Sequence, residues 1–133
     1  MDYRNFGIEE IEDIKRIYAD ESWLAYLRDD EKLTNAFNNS LYILGAFEEG
    51  KLIGFIRCVG DTEHVMVVQD LIVDKKHQRM GIGSELLDRT IKEYHHVRLF
   101  MLLTDANDER DNLFYQAKGM KAVIHKKMIA YMR

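Results

Sequence analysis

The chain has 133 residues, 47% of them apolar, and a formal net charge of −4. That length can bury a core, that apolar content excludes a disordered segment, and that sign of charge argues against a nucleic-acid footprint. No apolar run reaches the roughly 20 residues that span a bilayer, and the single cysteine, Cys58, excludes an internal disulfide and a cysteine-built zinc site and suits a reducing cytoplasm.

The opening MDYRNFGIEE is acidic and polar, unlike an export signal. Ile8, Ile11, Ile14, Ile17 and Tyr18 recur at helical spacing and predict an amphipathic helix over 8–20. Next comes DESWLAYLRDD, in which Trp23 and Tyr26 lie three apart and share a face if the segment is helical. Leu33, Ala36, Phe37 and Leu41 predict a second, shorter helix. Residues 1–31 carry ten acids against four bases, either solvated helix faces or a field that draws in a cationic substrate.

The hydrophobic period then shortens. LYILGAF and KLIGFIRCV read as strands joined by the turn EEG, and VMVVQDLIV is apolar enough for the interior of a sheet. Cys58 is expected as a small core residue of its strand. Gln69 and Asp70 interrupt the third apolar run. Successive strand residues face opposite sides, so only one of the two faces a given surface unless a bulge intervenes.

HQRMGIGS, residues 77–84, places Gly81 and Gly83 between that strand and a helical pattern marked by Leu86, Leu87, Thr90, Ile91 and Tyr94. A turn needs one glycine. Two before a helix leave open either a structural turn or an anion site, where helix-start N–H groups and a small backbone let a phosphate approach closely. VRLFMLL predicts a fourth strand, ERDNLFYQAKG a short helix closed by Gly119, and MKAVIHKKMIAYMR two short strands around HKK. No repeat or linker interrupts the order, so one domain over 1–133 is expected. The strand–helix–strand crossover from Val65 to Leu103 requires at least one parallel pair. The paired His95 and His96 close a helix, where imidazoles suit the dipole, and no metal site is expected.

Gln78-Arg79-Met80-Gly81-Ile82-Gly83 fits the pattern Gln/Arg-x-x-Gly-x-Gly/Ala, and Phe114-Tyr115-Gln116-Ala117-Lys118-Gly119-Met120 fits Phe/Leu-Tyr-x-x-x-Gly-Phe with Met120 for the last residue. On these two motifs and the element order the chain resembles the GNAT superfamily of N-acetyltransferases. The resemblance implies an α/β (α+β) fold: a mixed, mostly antiparallel sheet with a splayed parallel pair, flanked by about four helices. It implies acetyl-CoA as cosubstrate and a primary amine as acceptor. Arg79, Met80, Gly81, Ile82, Gly83 and Ser84, with Gln78, would take the pyrophosphate. Leu71, Ile72 and Val73 would offer the strand edge that pairs with the pantetheine arm, one of their N–H groups holding the oxyanion.

Tyr115 would be the general acid that protonates the leaving thiolate, beside Phe114. Asp70 is the candidate base, directly or through water, against a plain structural hydrogen bond. Trp23, Tyr26 and Gln69 would line the acceptor cleft, fitting a small cationic or aromatic amine. Family members carry an asparagine seven residues before the tyrosine; here Asp108 holds that place, and Asn107 and Asn112 are the nearby candidates for a cofactor contact. The alternatives are a protein lysine or N-terminal acetyltransferase and a non-catalytic acyl-CoA-binding or dimerising module. A homodimer is an expected form of partnership; nucleic acid and membrane are not.

Overall fold

The computed structural model describes residues 1–133 and divides into two units, Met1–Leu102 and Leu103–Arg133. In the first unit, strands β1 (Asp2–Asn5), β2 (Tyr42–Glu48), β3 (Lys51–Gly60), β4 (Val65–Val73) and β5 (Leu99–Leu102) form one sheet in that order. The first three pairings are antiparallel and β4–β5 is parallel. Helix α1 (Ile11–Asp20) follows a 3₁₀ turn at Ile8–Glu10, α2 (Asp30–Asn38) follows another at Leu24–Leu27, and α3 (Ile82–Glu93) is the crossover between β4 and β5. In the second unit α4 (Glu109–Ala117) precedes a 3₁₀ turn at Val123–Lys126. The mixed sheet with its single parallel pair and four helices is the expected architecture.

The apolar period decides what packs where. Ile14, Ile17 and Tyr18 of α1 and Leu33 and Phe37 of α2 form one buried cluster with Ile43, Phe47, Leu52, Phe55 and Ile72. Helix α3 buries Ile82, Leu86 and Leu87 outside that cluster, against β2, β3 and β4. The middle strands are therefore covered on both sides, which is why Ile43 to Phe47 is buried at every residue.

Several sequence expectations change. The chain begins with a strand, β1, which the sequence does not announce: four mostly polar residues carry no alternation, and the backbone ladder to β2 makes the element. Its Arg4 guanidinium lies 3.6 Å over the Phe47 ring, and charges on an edge strand discourage further pairing. Leu41 falls beyond α2 and hydrogen-bonds through its N–H to the Cys58 carbonyl. The fourth predicted strand shrinks to Leu99–Leu102, because Val97 closes the turn after α3 on the Tyr94 carbonyl. The two predicted tail strands do not form; residues 128–133 are irregular. Alternation alone does not make a strand, since a strand exists only with a partner for its N–H and C=O groups. No helix is long and apolar enough to cross a membrane.

Candidate active site

Strand β4 departs from its neighbours where the chemistry was expected. Arg57 pairs with Asp70 and Cys58 with Val68, which leaves Gln69 as the extra residue of a bulge. On the other side the ladder to β5 stops at Val68–Leu102. From Gln69 to Val73 the far edge of β4 thus has no strand beside it, while Leu71, Ile72 and Val73 remain paired to β3. Consecutive N–H groups of a strand point to opposite edges, so one of Leu71 and Ile72 presents its N–H on the open side.

The turn after β4 is tied down by side chains. The Gln78 amide donates to the Val73 carbonyl at 2.9 Å and also to the Glu21 carboxylate. The Lys75 N–H donates to Asp20 at 2.6 Å. Asp74, buried, accepts from Arg16 Nη1 at 3.1 Å and meets His77 Nδ1 at 2.6 Å, while His77 Nε2 lies 2.6 Å from Glu48. The flanking carboxylates, Asp74 first, raise the pKa of the His77 imidazole against the opposing effect of desolvation. Arg79 then takes a positive φ of 63° and Gly81 one of 79°, a left-handed path that costs glycine little and arginine more.

Helix α3 starts at Ile82, with Ile82 buried and Met80 exposed. Glu85 is the first helix amide to reach a carbonyl, Gly81 O at 3.0 Å; those of Ile82 and Gly83 make no backbone hydrogen bond. Ser84 is half-buried in the same first turn. A Cβ added at Gly81 would meet nothing within 4 Å, and one at Gly83 only Val73 Cγ2 at 3.9 Å. The positive φ accounts for Gly81. Nothing in the chain accounts for Gly83.

A second cluster lies where α1, the Leu24–Leu27 turn and β4 meet. Asp70 is 1% exposed. Its carboxylate accepts from Tyr18 Oη and Arg57 Nε, each at 2.6 Å, and from Tyr26 Oη at 2.8 Å. Arg57 also donates to Ser40 Oγ at 3.1 Å and lies 5.1 Å over the Phe37 ring. Burial opposes the Arg57 charge, but the Asp70 carboxylate more than offsets it and the guanidinium pKa is raised. Burial and the same carboxylate push the Tyr18 and Tyr26 hydroxyls above their ordinary range. Tyr26 stacks on Tyr18 at 4.3 Å, Trp23 stacks on Tyr18 at 6.0 Å, and the exposed Gln69 amide donates to Tyr26 Oη at 3.2 Å.

Trp23, Tyr26, Gln69 and Asp70 are thus brought together. Trp23 and Tyr26 do so through a 3₁₀ turn, whose three-residue period eclipses such positions. A carboxylate filled by three donors is a poor direct base, and the route from Asp70 to the exposed Gln69 runs through the Tyr26 hydroxyl. Arg57, Tyr18 and the Asp74–His77 group escaped the sequence reading. One signal was available: a base inside one apolar strand, Arg57, and an acid inside the next, Asp70, placed opposite across a hairpin.

In the second unit Asp108 caps α4 by accepting from the Asp111 N–H at 2.9 Å. Asn112 spends its amide on the Asp105 and Asp108 carbonyls, at 2.9 and 2.7 Å. Asn107 is exposed and anchors its N–H on Asp105. Tyr115 packs edge-on to Phe114 at 5.2 Å. Burial first, then Asp111 and Asp108, pushes its hydroxyl up to about 12, so it is a protonated donor at neutral pH. No group of three or more His, Cys, Asp or Glu side chains is placed to hold a metal.

Known proteins share this fold. A GNAT-family acetyltransferase of Streptococcus pneumoniae has 28% identity and a TM-score of 0.85, over 99% of this chain and 96% of that one. The PaiA N-acetyltransferase of Thermoplasma acidophilum, solved in complex with coenzyme A, shares the fold at 24% identity and a TM-score of 0.74, over 90% and 89%. An uncharacterized, ycf52-like N-acetyltransferase of Prochlorococcus marinus is 28% identical over 69% of this chain; the chain spans about half, 53%, of that relative. The model of the acetyltransferase (GNAT) family matches residues 8–120, and the chain therefore belongs to that family.

Proposed function

We propose that this chain transfers the acetyl group of acetyl-CoA to a primary amine, a small cationic or aromatic one, and that residues 1–133 work as a single acetyltransferase domain in a reducing cytoplasm. The observation that carries the cofactor part is Gly83. It sits in the first turn of α3, where glycine weakens a helix, and the place of its missing Cβ meets only Val73 Cγ2, at an ordinary contact distance of 3.9 Å. A ligand that lies against the backbone is the remaining reason for it. The unpaired N–H groups at Ile82 and Gly83 and the dipole of α3 suit a pyrophosphate there, with Arg79, Met80, Gly81 and Ser84 around it. Gln78 serves by holding the turn to β4.

The open edge from Gln69 to Val73 gives an extended pantetheine arm a strand to pair with. The N–H of Leu71 or Ile72 on that edge is the donor to the thioester oxygen. The amine, drawn by the acidic first 31 residues, meets Trp23, Tyr26 and Gln69. Tyr26 gives its own proton to Asp70, so its oxygen is left to accept from the amine; a proton passed to Tyr26 moves one on to Asp70. The amine lone pair then forms the C–N bond and the C–S bond breaks; Tyr115, with Phe114 packing beside it, protonates the sulfur, and the proton that the acetylated nitrogen sheds restores the Tyr115 hydroxyl through solvent. Of the two asparagines, Asn107 is the one whose side chain is not spent on the loop. The family match across residues 8–120 supports joining both units in one domain. A second copy of the chain is the proposed partner.

Gly83→Glu tests the cofactor site: it sets bulk and negative charge where the pyrophosphate would lie, while its Cβ meets only Val73 Cγ2 at 3.9 Å. The variant should be as stable as the parent, or more so by up to about 1 kcal/mol. Its acetyl-CoA affinity by calorimetry should fall at least about tenfold, 1.4 kcal/mol. Unchanged affinity in the folded variant would remove the pyrophosphate from this turn.

A further inference from the structure

Helix α1 ends on acids. The C-terminus of a helix is its negative end and favours bases in its last turn, yet the last turn of α1 holds none; it closes on Asp20, with Glu21 as its cap. Both carboxylates are engaged by the turn after β4 instead. Asp20 accepts from the Lys75 N–H at 2.6 Å, and Glu21 accepts from the Gln78 amide, which also donates to the Val73 carbonyl at 2.9 Å. One helical turn before Asp20, Arg16 Nη1 donates to Asp74 at 3.1 Å and Nη2 to the Leu52 carbonyl at 2.6 Å. The end of α1 therefore grips the turn at Asp74, Lys75 and Gln78, on both sides of His77.

The chain passes from that grip to the acceptor side in two residues. Ser22 takes a positive φ of 59°, a conformation that costs a residue with a side chain. The Trp23 N–H then returns to the Tyr18 carbonyl at 2.9 Å. Trp23 and Tyr26 each stack on Tyr18, Tyr26 arriving through the turn at Leu24–Leu27. Glu21 is thus tied on one side to Gln78, which leads into the glycine turn. On the other side a tight, hydrogen-bonded link with little slack ties it to Trp23.

We infer that Glu21 is a positioning residue for the transfer: through its hydrogen bond to Gln78 it sets the Trp23–Tyr26 wall in register with the cofactor turn, and coenzyme A held at Gly81 and Gly83 draws that wall into place. The inference rests on the cofactor reading above. Glu21 acts through Gln78 and Trp23 rather than on the reacting atoms. Coenzyme A that orders the turn biases the acceptor wall. Coupling between two sites is reciprocal, so an amine seated against Trp23 favours coenzyme A by the same factor. What position 21 needs for this is an acceptor oxygen, which glutamine also supplies.

Trp23 is the only tryptophan of the chain, so its emission reads this wall alone. The full chain is titrated with coenzyme A, calorimetry giving the occupancy and fluorescence following Trp23. In the parent, emission should change along the calorimetric isotherm. Glu21→Gln should keep the change. Glu21→Ala and Gln78→Ala should each lose it at calorimetric saturation, with the far-ultraviolet spectrum retained, and the double variant should lose no more than either single one. Should Glu21→Ala not fold, Gln78→Ala removes the same hydrogen bond from the other side. A change of parent size in the saturated alanine variants would mean that the signal reaches Trp23 by another route, direct contact with the cofactor included, and would overturn the inference. So would a parent emission that stays constant at saturation; binding without that change leaves the cofactor reading standing. No binding of coenzyme A to the parent would overturn both.

Discussion

At the scale of single residues, Asp70 shows how one side chain ties stability to chemistry. An acid inside VMVVQDLIV was legible as an anomaly that needed a partner. The identity of its three donors was not, because Tyr18 and Tyr26 arrive from segments more than forty positions away. Asp70→Asn would leave the Arg57 guanidinium buried without a counter-charge, and loss of one member of such a pair costs about 3–5 kcal/mol. Denaturant unfolding should register that loss. A variant as stable as the parent would mean that the ion pair is not what holds this corner together.

Tyr115 is governed by the same physics with a different use. Its proton is held more tightly than that of an ordinary tyrosine, up to about 12. A general acid is active while protonated and fails as pH rises through its pKa. The kcat of the parent should therefore show no loss attributable to Tyr115 up to about pH 10, the ordinary tyrosine value. Tyr115→Phe should lower kcat by about 10²-fold, the low end for acid catalysis, with acetyl-CoA affinity little changed. Wild-type kcat in that variant, with chemistry rate-limiting, would return Tyr115 to a packing role.

At the scale of elements, the turn between β4 and α3 was the most legible part of the chain. Its glycines lie at a boundary where the period changes from strand to helix, and both neighbours were readable from composition. Its anchoring was not, since Asp74, His77, Glu48 and Arg16 meet only once β2, β4 and α1 are assembled. The His77 pKa is raised by Asp74 and Glu48. The stability that its charge adds is fully present below the ordinary histidine value near 6.5 and is lost as pH rises through the raised one. His77→Gln should therefore lower the thermal midpoint most near pH 6 and least near pH 9. A difference independent of pH would show that His77 anchors the turn by shape rather than charge. Elements at the two ends of the chain were the hardest to read. β1 has too few apolar residues to signal a strand, and the tail has the signal without the ladder.

At the scale of the whole molecule, fold class followed from the order of periods: the antiparallel meander, the crossover and the parallel pair were all implied by sequence. The acceptor is not written in that order. It depends on the surface formed by Trp23, Tyr26 and Gln69, and on a charge asymmetry partly engaged in structure: Asp29 caps α2, Asp30 pairs with Lys15, and Glu21 holds Gln78. The measurement that bears most directly on the proposed reaction is thiol release from acetyl-CoA by the full chain across polyamines, arylalkylamines, amino acids and anionic amines. Amine-dependent release with a product acetylated on nitrogen is expected, with kcat/KM highest for cationic or aromatic amines and falling as salt screens the field over about 8 Å. Binding of acetyl-CoA with no release for any amine, or a preference for anionic acceptors, would contradict it.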